Sequence, residues 1–460
     1  MGLKIAFIGA GSIEFTRKLN ADLLTVPAFE DAEIRLMDID RGNLERVSGL
    51  VERDLAVNGK KRVTLKNTLD QREAVKDARY VLSVARIGGL PAFHLDVEIP
   101  LRYGVDQCVG DTICAGGIMY GQRTIPFILD LCKDIREAAA ADAMLLNYVN
   151  PMAMNTWAAN AQGGVRTVGL CHGVQHGHTQ IAHALGLPKK EVDIVCAGIN
   201  HQTWYLHVRH DGQELTGKLL EAFERHPVLS RQEKVRIDML RRFGYYSTES
   251  NGHLSEYVPW YRKRRPEIER WIDRSEWIHG ETGGYLRHCE EQRTRFEKDY
   301  ESWKNGPPFR YEPDARSEEH GSYIIEGLET GARYRGHFNM VNGGCITNLP
   351  QDAVIEAPGY VDGTGIWMPV VGDLPLGPAA VCNASISVQR LAVRAAVTGD
   401  DELLRQAMML DPLVGAVCSP PEIWEMVDEL LVAEKAWLPQ YGRAIAAAEK
   451  RRAGKRAAAS

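Results

Sequence analysis

The chain begins almost at once with an apolar run at residues 5–8, and similar runs recur at 34–37, 63–65, 80–84, 144–149 and 167–170. Short apolar runs rich in β-branched residues and bounded by turn formers read as buried strands. Between them, at 15–24, 43–57, 72–78 and 125–139, apolar residues recur at helical spacing. Strands separated by helix-length segments predict an α/β fold, a Rossmann-like doubly wound parallel sheet. Past residue 200 the pattern changes. Helical segments rich in Arg, Glu and aromatics are expected at 217–225, 232–243 and 290–303. A stretch punctuated by Gly and Pro follows at 323–377, with a strand-like piece at 353–357, and two late helices are expected at 385–398 and 421–446. The pattern divides the chain into a nucleotide-binding unit over 1–195, a mixed α/β substrate and catalytic unit over 196–446, and a basic, Ala-rich tail over 447–460 expected to fray.

Composition narrows the classes. The chain has 460 residues, 44% of them hydrophobic and 25% charged, with a formal charge of −6. That is enough apolar material for a large core, and the acidic balance argues against a nucleic-acid partner. No apolar run is long enough to cross a bilayer, and the first strand starts where a secretory leader would be, so the cytoplasm is the expected compartment. The nine cysteines are odd in number and scattered, which suits reduced thiols rather than a disulfide framework.

Two places carry chemistry. The first strand runs into Gly9-Ala10-Gly11-Ser12, where glycines allow a tight turn and close approach to a pyrophosphate seated on the next helix. The usual third glycine falls at Glu14, a change that bears on helix–strand packing more than on phosphate contact. The second strand ends at Met37-Asp38, and an acid there can bind a ribose hydroxyl, favouring NAD over NADP. The alternatives are a helix cap at Ser12 and a surface aspartate. The second place is "GLCHGVQ", with Cys171 just past a strand, and "GINHQTWY", which brings His201 thirty residues later. Thiolate and imidazole are competent ligands for Mn, Fe, Co, Ni or Zn. Two ligands leave a shell open for a substrate, yet on the residues alone a packed thiol and an unrelated histidine explain the pair more simply.

Read together, "IGAGSIEFTRKL", "LMDID", "VARIGG", "NYVNPMAMNTW", "GLCHGVQ", "AGINHQTWY" and "TESNGHLSEYVPWY" resemble, in order and over nearly the whole chain, the NAD- and Mn-dependent glycoside hydrolases of family 4. Within that family they look most like the melibiase-type α-galactosidases. The resemblance implies a lactate/malate dehydrogenase-like first domain, homodimers or homotetramers, and a reaction unlike two-carboxylate glycoside hydrolysis. NAD takes hydride from C3 of the sugar, the ketone acidifies C2, a divalent ion steadies the charge, and the aglycone is eliminated from C1. Water addition and return of the hydride follow. The ion is usually Mn2+, with Co2+, Ni2+ or Fe2+ as substitutes.

Carried over residue by residue, the resemblance makes Cys171 and His201 the metal ligands and puts His172 where the family assists the leaving group. Asn150 matches an asparagine at the sugar diol, and Arg86 an arginine near cofactor and substrate. Residues 107–117 match the loop around the sugar, in which Asp111 would accept hydroxyl hydrogen bonds, although Cys114-Ala115 stand where glycine-proline is usual. Tyr257 holds the place of the C2 base, with His253 and Glu256 as competitors, and Arg287 is taken to reach the sugar from the second half.

Gly173 departs from the Cys-His-Ser of the melibiase-type members and is shared with α-glucuronidase-type members, so α-glucuronidase, α-galacturonidase and α-glucosidase stand as alternatives to α-galactosidase. A uronidase would want a basic residue aimed at C6, for which Arg123 and Arg287 are available. Outside the glycosidases the rivals are a net NAD-dependent polyol or hydroxy-acid dehydrogenase and a catalytically inert NAD sensor.

Overall fold

The computed structural model describes residues 2–459, without the side chains of residues 13, 14 and 456–459. Strand β1 (Lys4–Ile8) leads through a glycine turn into helix α1 (Ile13–Leu24), followed by β2 (Glu33–Met37), α2 (Arg41–Val57), β3 (Thr64–Thr68), α3 (Gln71–Val75) and β4 (Tyr80–Ser83). Helices α4 (Gly89–Arg102) and α5 (Cys114–Ala138) precede β5 (Met144–Asn147), α6 (Met152–Ala158), β6 (Arg166–Gly169) and α7 (Gly173–Leu185). These six strands pair in parallel in the order β3-β2-β1-β4-β5-β6. The central strands β4 and β5 are buried at every residue, as a parallel sheet covered on both faces requires, whereas edge strand β3 is mostly exposed. The order reverses at β1 and β4, which opens a crevice at their carboxyl ends.

The second half does not build a separate sheet. Strands β7 (Asp193–Ile199), β8 (Gln202–His210), β9 (Gln213–Glu214), β10 (Tyr334–Val341), β11 (Val354–Asp362) and β12 (Gly365–Trp367) extend the first one, with β10 antiparallel to β6 and the order continuing β10-β11-β7-β8-β9. A cut at residue 195 falls inside β7, at a register shift between Val195 and Cys196. The two halves therefore share one sheet of twelve strands.

Three segments differ from expectation. Helix α5 begins at Cys114 rather than near residue 125. Its Gly116 and Gly117 look like loop formers, yet a Cβ on either would fall 2.4 Å from backbone atoms of Gly110 or Thr112, so they serve close packing inside a buried helix. Helix α4 carries Pro91 and Pro100, which hid its helical spacing. The tail is a correction: residues expected to fray form the helix Gly442–Ala459. Ala448 is buried, Arg451 clasps Asp428 with two nitrogens at 2.7 and 2.8 Å, and Arg452 and Lys455 pair with Glu429 and Glu425. An alternation of small and basic residues reads as low complexity; acidic partners on Pro420–Ala433 give it a docking face. Deleting residues 447–460 is expected to lower the thermal midpoint by about 2–4 °C in a scanning-calorimetry comparison, because it strips the Arg451 partner from buried Asp428. An unchanged midpoint would restore the frayed reading.

Candidate active site

A cavity of about 920 Å³ lies over the carboxyl ends of β1, β4, β5 and β6, and is lined at one end by Gly9, Ser12 and Asp38 and at the other by Cys171, His201 and Glu249. At the first end Gly9 has φ +86°, and a Cβ there would sit 2.4 Å from the Ala85 Cα. Only glycine lets β1 turn this close to the end of β4. The Gly11 N–H donates to Asp38 Oδ2 at 2.8 Å, and the Asp40 N–H donates to Oδ1 at 2.9 Å, so Asp38 braces the turn. Ser12 is the N-cap residue of α1, and its side chain makes no capping hydrogen bond among the described residues. The cradle fits a pyrophosphate on the helix N-terminus with the Asp38 carboxylate near a ribose. Arg41 reaches toward Glu45 and does not line the cavity. The side chain at Glu14 lies outside the described residues.

Midway along, three expected residues meet. Arg86 Nη2 donates to Asp111 Oδ2 at 2.9 Å, and Asn150 Nδ2 donates to Asp111 Oδ1 at 3.1 Å. The guanidinium also lies over the rings of Phe93 and Tyr120, at 4.6 and 5.1 Å. The loop before α5 that carries Asp111 ends at Cys114, which takes φ +62°, a conformation in which a glycine is at ease. Its strain is braced by a bond from the Cys114 N–H to Asp411 Oδ2 at 3.0 Å.

At the far end Cys171 Sγ lies 3.2 Å from His201 Nε2, and the Gly173 N–H donates to the sulfur at 3.3 Å. His201 sits in the two-residue turn between β7 and β8 with φ +61°, a left-handed conformation that costs a non-glycine residue about 1–2 kcal/mol. The hairpin tip thus holds the imidazole in a strained pose against the thiol. Burial, then the neighbouring His253 ring, lowers the His201 pKa to about 4, so the ring is neutral and able to ligate. Burial, then the carboxylates of Glu356 and Glu249, pushes the Cys171 thiol well above its ordinary value. Among the described residues no three His, Cys, Asp or Glu side chains cluster closely enough to hold an ion by themselves. The pair suits a divalent ion that completes its shell with substrate oxygens or water.

The structure adds residues that the sequence reading missed or ranked low. Glu249 lines the cavity half-buried; burial alone would raise its carboxyl, but the surrounding rings of His201, His253, His172 and His176 hold it down at about 2. A Cβ on Gly173 would come within 2.9 Å of Glu249 Oε1, so the missing serine makes room for this carboxylate. His253 Nε2 meets His201 Nδ1 at 2.7 Å, and His253 Nδ1 meets Glu256 Oε2 at 2.7 Å. The signal for them was present in "SNGHLSE": Ser250 caps the helix Asn251–Tyr257, and His253 and Glu256 stand three apart on one face.

The remaining expected residues divide. His172, at the start of α7, lines the cavity with its side chain 61% exposed, its Nδ1 3.6 Å from Glu319 Oε1. Tyr257 is buried and is not among the residues lining the cavity; its ring stands edge-on to His253 at 5.3 Å and its hydroxyl has no hydrogen-bond partner among the described residues. Burial, then Glu256, Asp111 and Glu249, raises its phenol well above the ordinary range. Arg287 is a correction: it lies half-exposed on the helix Gly284–Asn305, paired with Glu281 and Glu291, outside the cavity. Helical i, i+4 pairing on a solvent face satisfies it locally. Arg123 is likewise unavailable to a sugar, being buried in ion pairs with Asp96 and Glu434.

A glycine turn suited to a dinucleotide, joined through an Arg–Asp–Asn cluster to an open thiol–imidazole pair, is the arrangement expected of a nucleotide-binding α/β enzyme with room for an ion. Family models place it. Residues 4–187 match the family 4 glycosyl hydrolase model and residues 196–414 match the family 4 glycosyl hydrolase C-terminal domain, and the chain belongs to this family. It is 58% identical to an α-galactosidase of Rhizobium meliloti over 97% of this chain and 91% of that one. It is 37% identical to an α-galactosidase of Bacillus subtilis over 95% and 99% of the two chains. Among solved structures, a 6-phospho-α-glucosidase from gut microorganisms in complex with NAD and glucose-6-phosphate superposes with a TM-score of 0.79 at 26% identity, over 95% of this chain and 99% of that one.

The raised thiol gives a pH prediction. Ligation needs the thiolate, whereas His201 is already neutral above about 4. Mn2+ affinity measured by calorimetry is expected to rise about tenfold per pH unit from 6 to 8, with about one proton released per ion. A pH-independent affinity would remove Cys171 from the ligand set.

Proposed function

We propose that this chain is an α-galactosidase that uses NAD and a divalent ion, Mn2+ foremost, to release terminal α-galactosides. The observation that carries the neutral sugar is the charge around the cavity. Among the described residues lining it, Arg86 is the one lysine or arginine, and its guanidinium is committed to Asp111, while Glu249 stands ionised nearby. A 6-phosphate or a uronate finds no free cation there and meets like charge. The galactose preference rests on the two α-galactosidase relatives.

Gly9, Gly11 and Ser12 would hold the pyrophosphate and Asp38 the ribose, with no lysine or arginine among the described residues lining that end of the cavity to favour a 2′-phosphate. Cys171 and His201 would hold the ion. When bound, NAD supplies reversible hydride transfer at C3, and the ion supplies Lewis acidity at the sugar diol. Asp111 and Asn150 accept and donate hydrogen bonds to sugar hydroxyls, and Arg86 fixes Asp111 between them. His172, at the exposed mouth, donates a proton to the leaving oxygen. Tyr257 is assigned the C2 proton on the family resemblance; its buried hydroxyl has no hydrogen-bond partner among the described residues, and it stands behind His253 rather than on the cavity wall. The nine free cysteines fit the reducing cytoplasm, and the family resemblance fits a homodimer or homotetramer. Among the described residues no helix is long and apolar enough to cross a membrane.

The deciding experiment is a panel of nitrophenyl α-galactoside, α-glucoside and α-glucuronide, with and without 6-phosphate, with NADH followed in parallel. The α-galactoside is expected to be cleaved at least about tenfold faster than any anionic glycoside, a difference of about 1.4 kcal/mol in barrier, with no net NADH. Stoichiometric NADH without nitrophenol would instead favour a dehydrogenase. Cys171→Ser is expected to lose at least about a hundredfold in rate while NAD affinity stays unchanged. Tyr257→Phe at full rate would remove that residue as the base.

A further inference from the structure

Behind His201 runs a chain of hydrogen bonds that no role above uses. His201 Nδ1 meets His253 Nε2 at 2.7 Å, His253 Nδ1 meets Glu256 Oε2 at 2.7 Å, and Glu256 Oε1 accepts from the N–H groups of Cys108, Val109 and Gly110 at 2.7, 3.0 and 3.2 Å. All five of these bonds are buried. The three amides can only donate, so Glu256 Oε1 must accept. The second carboxylate oxygen also accepts, which places the proton of the His253–Glu256 bond on His253 Nδ1. With His201 Nε2 given to an ion, the His201 proton sits on Nδ1 and can be donated only to a bare His253 Nε2, which a His253 donating from Nδ1 to Glu256 supplies. His201 Nε2 is the nitrogen turned toward Cys171 Sγ at 3.2 Å.

We infer that Glu256, acting through His253, is a positioning residue that fixes the tautomer of His201 with its lone pair at the ion site. The inference rests on the metal assignment proposed above. The same three amides belong to the residues just before Asp111, so one carboxylate ties the ion ligand to the loop that carries the Arg86–Asp111–Asn150 cluster. A chain made for packing alone would have no need of two imidazoles, edge-on at 4.7 Å, with a fixed proton order. Partners of this kind orient a ligand histidine and are worth about 10–100-fold in metal affinity.

Substitution can reverse the proton order without changing shape. In Glu256→Gln the carboxamide oxygen keeps the three amides, and its NH2 must donate to His253 Nδ1. His253 then carries its proton on Nε2, donates to His201 Nδ1, and forces a proton onto His201 Nε2, where the ion would bind. In His253→Gln with Glu256 intact, the carboxamide NH2 donates to Glu256 and its oxygen accepts from His201 Nδ1, so the order survives. His253→Leu removes the acceptor altogether.

The test is Mn2+ titration of the full-length protein stripped of metal, read by loss of the free-ion EPR signal, with NAD affinity and thermal midpoint measured alongside. Glu256→Gln is expected to weaken Mn2+ about 10–100-fold while NAD affinity stays within about threefold, and His253→Gln is expected to stay within about fivefold of the unmodified protein. Equal Mn2+ affinity in Glu256→Gln and the unmodified protein would overturn the inference, as would a loss in His253→Gln as large as that in Glu256→Gln. Should Glu256→Gln fail to fold, the His253 pair decides: Gln retaining affinity and Leu losing tenfold or more supports the relay, and equal affinities reject it. If the unmodified protein binds no Mn2+, the metal assignment itself fails, a result distinct from any ranking among the variants.

Discussion

The Cys171 thiol and the His201 imidazole approach to 3.2 Å although the strands they follow, β6 and β7, have β10 and β11 between them. Three strand spacings would hold their axes roughly 14 Å apart. One registered row crosses the gap, Gly169 to Asn339 to Glu356 to Gly198, and past that row β6 and β7 end and their next residues converge. Both flanks of the row are glycine for a steric reason. A Cβ on Gly169 would strike Met152 Sδ at 2.2 Å, and one on Gly198 would strike Gln202 O at 2.5 Å. The continuous sheet is therefore what brings the proposed ion ligands together, since it fixes where a strand end of the first half and a hairpin tip of the second half meet. Two independently folded domains joined by a linker would leave that approach to chance.

Electrostatics follow from the same burial. A thiol pushed up and an imidazole pushed down are both neutral near pH 7, which avoids the cost of burying an unpaired charge. Glu249 is the exception, its carboxyl lying well below the ordinary range among the histidines around it, and a Cβ on Gly173 would come within 2.9 Å of its Oε1. Charge and shape thus act together at one place: the carboxylate both fills the space over Gly173 and sets the sign of the field that a sugar substituent meets. The nucleotide end is organised differently, by backbone geometry. There Asp38 spends bonds on the turn of Gly11 and Asp40 and holds the cradle rigid before any ligand arrives.

Much of the first half was legible in the sequence because its signals are local. Strand periodicity, the Gly9–Ser12 turn and the acid at the end of β2 depend on neighbours a few residues apart, and the structure has each where the pattern put it. Where packing overrode local preference, the reading faltered. The glycines of α5 looked like a loop because nothing local says that another backbone presses against them. The C-terminal tail looked loose because its acidic partners, Asp428, Glu429 and Glu425, lie on a separate helix.

By itself the sequence determined the alternation of strands and helices, the nucleotide turn, and the presence of a thiol and an imidazole with family-specific flanks, since these rest on short-range geometry and on residue identity. Only the tertiary structure decided which charged groups face the cavity. It turned Arg287 to solvent and Arg123 into the core, brought Arg86 onto Asp111, and strung His201, His253 and Glu256 into one line of hydrogen bonds. The physical reason is that a charge is placed by whatever desolvates and pairs it, and those partners lie up to hundreds of residues away along the chain.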